Sequence, residues 1–102
     1  MRLLKDVFRS SDKAWIYCAT KDLQKQFLLQ AEKEGFDTSP EKMALSHIYG
    51  IGTDGHVGCL SPLLWAMSFS CSGVDFPRID YQAFLEGRED YECKEPHVKK
   101  VG

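Results

Sequence analysis

The 102-residue sequence contains no long apolar run, no Cys-x-x-Cys pair, no internal repeat and no low-complexity tract, and each absence removes a class of protein. Its longest uninterrupted apolar stretches are a few residues, far short of the roughly 20 needed to cross a bilayer, so no membrane is expected as a partner. Asp6 interrupts the N-terminal Met1-Arg2-Leu3-Leu4-Lys5 where a secretory leader would need its apolar centre, which predicts a cytoplasmic protein. The cysteines Cys18, Cys59, Cys71 and Cys93 stand far apart and not in zinc-finger or zinc-ribbon spacing, so no metal is expected. Their even number allows disulfides in more than one pairing, but a chain that is not exported is expected to keep its thiols reduced. A charge bias is missing too. With 13 Lys and Arg against 15 Asp and Glu the net charge is −2, so neither attraction to nucleic acid nor wholesale mimicry of it is written into the total.

What is present is a single small domain. Its apolar share of 43% and charged share of 27% are those of an ordinary globular protein. A chain of this length has an expected radius of gyration of about 13 Å. It buries roughly two-thirds of its unfolded surface, enough for one core and little surplus for a deep enclosed site.

The most informative stretch is Ser46 to Leu60, two apolar segments joined at Asp54-Gly55. An Asp-Gly pair between apolar runs signals a β-hairpin, because a type I′ turn needs positive φ at both central residues. A two-residue turn pairs Thr53 with His56 and sets Gly52 opposite Val57, Ile51 opposite Gly58, Gly50 opposite Cys59 and Tyr49 opposite Leu60. Glycines then fall on both faces, which weakens the strands and lets another group approach the backbone closely.

Around the hairpin the elements follow in order. Leu3, Leu4, Val7 and Phe8 predict a short N-terminal helix that ends in the polar stretch 9–13. The aromatic and β-branched run Ala14 to Thr20 predicts a central strand. Thr20 caps a helix over 21–34, with Asp22 in its first turn and Leu23, Phe27 and Ala31 along one face, widened by Leu28 and Leu29. Gly35 takes the left-handed C-terminal cap and Phe36 folds back onto the last turn. Residues 37–43 form a connection in which Pro40 starts one helical turn.

After the hairpin, Ser61 and Pro62 open a helix whose Leu63, Leu64, Trp65, Met67 and Phe69 are apolar on nearly every side, so it is buried if helical. Alternation over 65–70 fits a strand nearly as well. A turn at 70–73 leads to an extended entry and one or two helical turns through Ile79, Tyr81, Phe84 and Leu85, ending at Gly87. The expected fold class is α+β, one domain over residues 1–90, with an antiparallel sheet, a central β-hairpin and helices mainly on one face. Residues 91–102 are read as a charged, flexible tail.

Residues Gly50 to Val57 also spell G-x-G-x-x-G-x-V, which covers nucleotide phosphates in protein kinases. A dinucleotide fingerprint is excluded, since its third glycine opens a helix and here a strand follows. A kinase also needs V-A-I-K, H-R-D and D-F-G, and none occurs. Turn geometry accounts for the three glycines. Thiol chemistry needs Cys and His in contact, but His56 and Cys59 point to opposite faces of one strand, which leaves only a cross-strand pair of Cys59 and His47. Cys18 and Cys59, inside strands, read as small core hydrophobes. The acidic segment Glu86, Glu89, Asp90, Glu92 and Glu95 suits either a basic partner or plain solvation. Trp15, Tyr17, Tyr49 and Trp65 are read as core rather than as a base-stacking sheet, for want of a basic stripe.

The order Ala14-Trp15-Ile16-Tyr17-Cys18, a capped helix ending Glu32-Lys33-Glu34-Gly35-Phe36, a glycine-turned hairpin, and Ile79-Asp80-Tyr81-Gln82-Ala83-Phe84-Leu85-Glu86-Gly87 resembles small accessory proteins of bacteriophages and mobile elements of gut bacteria. The resemblance implies a stand-alone binder acting in the host cytoplasm, of the kind that includes inhibitors of host defence such as anti-CRISPR proteins. The expectation is therefore a non-enzymatic macromolecule-binding protein with a protein partner and no cofactor. Its contact surface is expected at Thr53, Asp54, Gly55 and His56 together with Glu86, Glu89, Asp90 and Glu92. The alternatives are a nucleotide- or metabolite-binding protein using Gly50 to Gly55, and a small thiol-dependent enzyme.

Overall fold

The computed structural model describes residues 3–8, 11–38, 45–70 and 76–93. Strand β1, Lys13–Tyr17, alternates fully buried Ala14 and Ile16 with half-buried Trp15 and Tyr17, the two-residue period of a strand with unequal faces. It lies between β2, Ile48–Gly52, which pairs with it antiparallel, and β4, Arg78–Asp80, which pairs with it parallel. β3, Val57–Cys59, forms the far edge beside β2, giving the order β3-β2-β1-β4. The radius of gyration is 12.6 Å, close to that expected of one domain.

The fold is α+β, and its sheet is antiparallel except at β4. The parallel pairing sends β4 off the same end of the sheet as β1. Each strand there feeds a helix: β1 leads to α1, Lys21–Lys33, and β4 to α3, Tyr81–Leu85. Both helices cover one face. Phe27 of α1 stacks on Tyr49 at 4.8 Å and meets Tyr81 edge-on at 5.6 Å, over a core that includes Ala14, Ile16, Ile51, Val57, Ile79 and Phe84. The 3-10 turn Leu4–Val7, in place of the expected N-terminal helix, adds Leu4 and Val7 to this core.

Helix ends follow the local sequence. Thr20 Oγ1 accepts the Leu23 N–H at 3.2 Å, as an N-cap should. At the other end of α1, Gly35 has φ +92°, and the N–H groups of Gly35 and Phe36 close onto the carbonyls of Glu32 and Ala31. Gly87, at φ +83°, ends α3 in the same way, with Arg88 N–H donating to the Ala83 carbonyl. Both are Schellman closures, where glycine avoids the steric cost of a left-handed backbone.

The hairpin register differs from the sequence expectation by one residue. The Gly55 N–H donates to the Gly52 carbonyl at 2.9 Å and the Gly52 N–H to the His56 carbonyl at 3.1 Å, so the loop is Thr53-Asp54-Gly55, three residues rather than two. Gly55, at φ +93°, supplies the left-handed position that closes such loops. Consequently Ile51 pairs with Val57, Gly50 with Gly58 and Tyr49 with Cys59. A slip of one residue turns every side chain of the strand over, and here it delivers Val57 to the core.

Helix α2, Pro62–Ser70, settles the helix-or-strand question for this segment and lies on the other face of the sheet. Ser61 Oγ accepts the Leu64 N–H at 3.1 Å, and Trp65 stacks on Tyr17 at 5.7 Å. The chain packs as far as Cys93: the Asp80 N–H donates to the Tyr91 carbonyl, the Cys93 N–H to the Arg78 carbonyl, and Tyr91 meets the Phe84 ring edge-on. The expected helical turn at Pro40, most of the turn at 70–73 and the tail beyond residue 93 lie outside the described residues. No described helix is long and apolar enough to cross a membrane.

Candidate functional site

The hairpin tip is exposed at Thr53, Asp54 and His56, and it is held from both sides. The Thr53 N–H donates to the Asp12 carbonyl at 3.0 Å, and the Asp37 N–H donates to the Gly55 carbonyl at 2.6 Å. Asp54 folds back within the turn. Its Oδ1 accepts the His56 N–H at 3.2 Å and its Oδ2 lies 3.0 Å from His56 Nδ1, and these bonds hold its carboxyl below the usual carboxylate range. The tip forms one wall of an open cleft of about 400 Å³, shared with Lys5, Phe8, Glu34 and Phe36.

This geometry leaves little for a phosphate. Of the five amides from Gly52 to His56, those of Gly52, Thr53, Gly55 and His56 are donated within the chain. The space beside Gly50 and Gly52 is filled by the protein's own groups. A Cβ on Gly50 would stand 3.3 Å from Leu60 Cδ1 and 3.5 Å from Trp15 Cδ1, and one on Gly52 would stand 2.7 Å from Asp54 Oδ1.

The acidic segment sits elsewhere. Glu86 pairs with Arg88 at 2.9 Å and accepts Gln82 Nε2 at 3.2 Å, Asp90 Oδ1 accepts the Glu92 N–H, and Glu92 bridges Ile79 beside β4. Glu89 is exposed. β4 and β3 are opposite edges of the sheet, so Glu86, Glu89, Asp90 and Glu92 do not join Thr53, Asp54, Gly55 and His56 in one surface.

Burial keeps two of the thiols protonated. Cys18 is fully buried, and burial pushes its thiol up strongly. His47 Nδ1 lies 3.1 Å from the Cys18 carbonyl oxygen and 3.3 Å from Gln24 Nε2, so it is engaged with backbone and amide. Burial, with Asp80 nearby, pushes the Cys93 thiol up to about 12. Cys59 is exposed on the edge strand, contrary to its reading as a core hydrophobe, because a three-residue edge strand has no outer neighbour strand to bury its end. Among the described residues no group of three or more His, Cys, Asp or Glu is placed to hold a metal ion.

The surface that sequence reasoning missed is the outer side of α2. Trp65 and Ser68 are buried toward the sheet, whereas Leu63 is 69% exposed, Leu64 47% and Met67 49%. The expectation that an all-apolar helix is buried fails because α2 has the sheet on one side only. The available signal was the helix itself: Pro62–Ser70 carries no charged residue, so whichever side faced outward had to be apolar. Comparison with models of known protein families, with curated proteins and with solved structures finds no match to this chain.

Proposed function

We propose that this chain is a non-enzymatic binding domain that docks a protein partner on the outer side of α2. The observation that supports the reading is the adjacent exposure of Leu63, Leu64 and Met67 on a helix without charge. Large apolar side chains gathered on one exposed patch mark contact surfaces more often than those scattered singly. The raised thiols make Cys18 and Cys93 poor nucleophiles, and the spent amides of the hairpin speak against a phosphate cradle.

The finer reading follows from the resemblance to accessory proteins of phages and mobile elements: the partner is a component of a host defence system, and the chain inhibits it as anti-CRISPR proteins do. The test is phage plating on a defended bacterial host that expresses the chain. The wild type restores plating, and the paired substitutions Leu63→Asp and Met67→Asp abolish the effect while thermal melting stays within a few degrees. Full activity in that variant would move the contact surface away from α2. A stable dimer in sedimentation that the same pair dissolves would assign the patch to a second copy instead.

A further inference from the structure

We propose that Arg78 is a fixed receptor for a carboxylate on the partner, so that the segment docking beside α2 carries an acidic residue next to its apolar ones. The inference rests on the protein-binding reading above.

Arg78, on β4, is half-buried, and its guanidinium carbon lies 4.1 Å from the centre of the Phe69 ring. Its Nη1 donates to the Ser68 carbonyl at 2.8 Å and lies 3.4 Å from Ser68 Oγ. The guanidinium is thereby clamped to the last turn of α2, beside the residues that follow exposed Met67. Nη1 is the one nitrogen of the fork with an acceptor among the described residues. The ion pairs among those residues are Asp54 with His56 and Glu86 with Arg88, and neither involves Arg78. Asp80, two residues along the strand, directs its Oδ1 to the Gln82 N–H instead.

A guanidinium held this way loses little further freedom on binding, and its remaining N–H groups suit the two oxygens of a carboxylate. The charge distribution favours the same occupant. α2 contributes no charge of its own. Lys13, two residues before the β1 residue paired with Arg78, holds its ammonium 4.7 Å over the Phe76 ring, and Phe76 packs on Trp15 at 4.8 Å. This face therefore offers leucine, methionine and aromatic groups with two cations set on rings, a composition rich in the arginine and aromatic anchors that dominate protein interfaces. A basic segment would meet Arg78 and Lys13 as like charges.

The experiment selects a displayed random peptide library on the full chain. Its winners are then measured as synthetic peptides against the wild type, Arg78→Gln, Arg78→Lys and the Leu63→Asp, Met67→Asp pair, with a melting curve for each protein. The expected peptides carry Asp or Glu near Leu or Phe and weaken about tenfold or more against Arg78→Gln. Arg78→Lys weakens them as well, because it keeps the charge and loses the fork. Replacing the peptide's own Glu by Gln gives the same loss on unaltered protein, which keeps the test valid if Arg78→Gln melts early. Winners that lack a carboxylate, or that ignore both the Arg78 variants and the Glu-to-Gln change yet fail on the α2 pair, overturn the Arg78 assignment and leave the protein-binding reading standing. Winners indifferent to every variant, or no enrichment at all, count against both.

Discussion

Helices α1 and α2 lie on opposite faces of the same sheet and bury themselves in different ways. α1 places Phe27, Leu28 and Ala31 inward, with Gln24 and Gln30 also buried, and turns Lys21, Asp22, Lys25, Glu32 and Lys33 to water; Leu29, expected to widen the apolar face, is 60% exposed because it falls on the outer side of the helix. Even its buried amides are used: the Tyr81 hydroxyl donates to Gln30 Oε1 at 2.7 Å, and Gln24 Nε2 donates to the Cys18 carbonyl at 3.2 Å. α2 anchors itself through Trp65, Ser68 and the Arg78 contact, then exposes Leu63, Leu64 and Met67 with no charge among them, where α1 exposes one leucine set among charged residues. The outer side of α1 is mainly charged, and that of α2 is apolar.

The comparison breaks most sharply at Phe27. Phe27→Ala, removing a fully buried ring that touches Tyr49 and Tyr81, is expected to cost about 3–5 kcal/mol in urea unfolding. Leu63→Ser on α2 is expected to stay within about 0.5 kcal/mol while abolishing partner capture. A large loss of stability from Leu63→Ser would mean that the exposed side of α2 belongs to the core.

Next in size is the far end of α1. Glu34 Oε2 accepts the Leu4 N–H at 2.7 Å and Gln30 Nε2 at 2.9 Å, and its Oε1 accepts the Lys5 N–H at 3.2 Å, which fastens the 3-10 turn to the helix. Glu34→Ala is expected to cost about 1–2 kcal/mol and to speed amide exchange at Leu4 and Lys5. Equal protection in the variant would show that packing of Leu4 and Val7 alone holds the turn.

Glycines give a smaller contrast of opposite sign. Gly35→Ala forces a side chain into the left-handed region and is expected to cost about 1 kcal/mol. Nothing described lies within 4 Å of a Cβ on Gly58, so Gly58→Ala is expected to be neutral or to stabilise by roughly 0.5 kcal/mol. Chemical denaturation of the two variants decides between these signs.

The smallest effect concerns pH. Burial raises the Asp80 carboxyl above its ordinary range, against the amide bonds from Gln82 and Ala83 that lower it. An acid whose pKa is raised by folding costs stability while ionised, and that cost disappears as the pH falls through the raised value. Asp80→Asn keeps an oxygen for the Gln82 N–H, so it is expected to be slightly more stable than the wild type at neutral pH, with the gap closing in acid. A gap that widened in acid would reverse the assignment.

Much of the architecture was legible because its signals are local. Thr20, Gly35, Ser61 and Gly87 mark helix boundaries through groups a few residues away, and the structure uses each as an end or a cap. The hairpin was legible in place but not in register. Asp54-Gly55 announces a turn, yet the choice between two and three loop residues is made by Asp12 and Asp37 gripping the tip and by the room for Val57 in the core, and those are distant contacts. The candidate contact residues show the same division. Thr53, Asp54 and His56, and on the other segment Glu86, Glu89 and Asp90, are exposed, but their assignment to opposite edges depends on strand order, which no short stretch encodes. The outer side of α2 and the setting of Arg78 on Phe69 went unread for that reason: the two residues are nine positions apart and meet only where the last turn of α2 reaches β4.

By itself, then, the sequence determined most of the elements, their caps and an α+β class, since backbone geometry and apolar periodicity act over a few residues; helix or strand over 65–70 stayed open because both periods fit. Tertiary structure alone decided that β4 joins β1 in parallel, that the hairpin shifts by one residue, and that an uncharged helix exposes Leu63, Leu64 and Met67 to solvent. Those outcomes depend on which surfaces compete for a core too small to bury them all, and at this chain length part of the apolar surface has to remain outside.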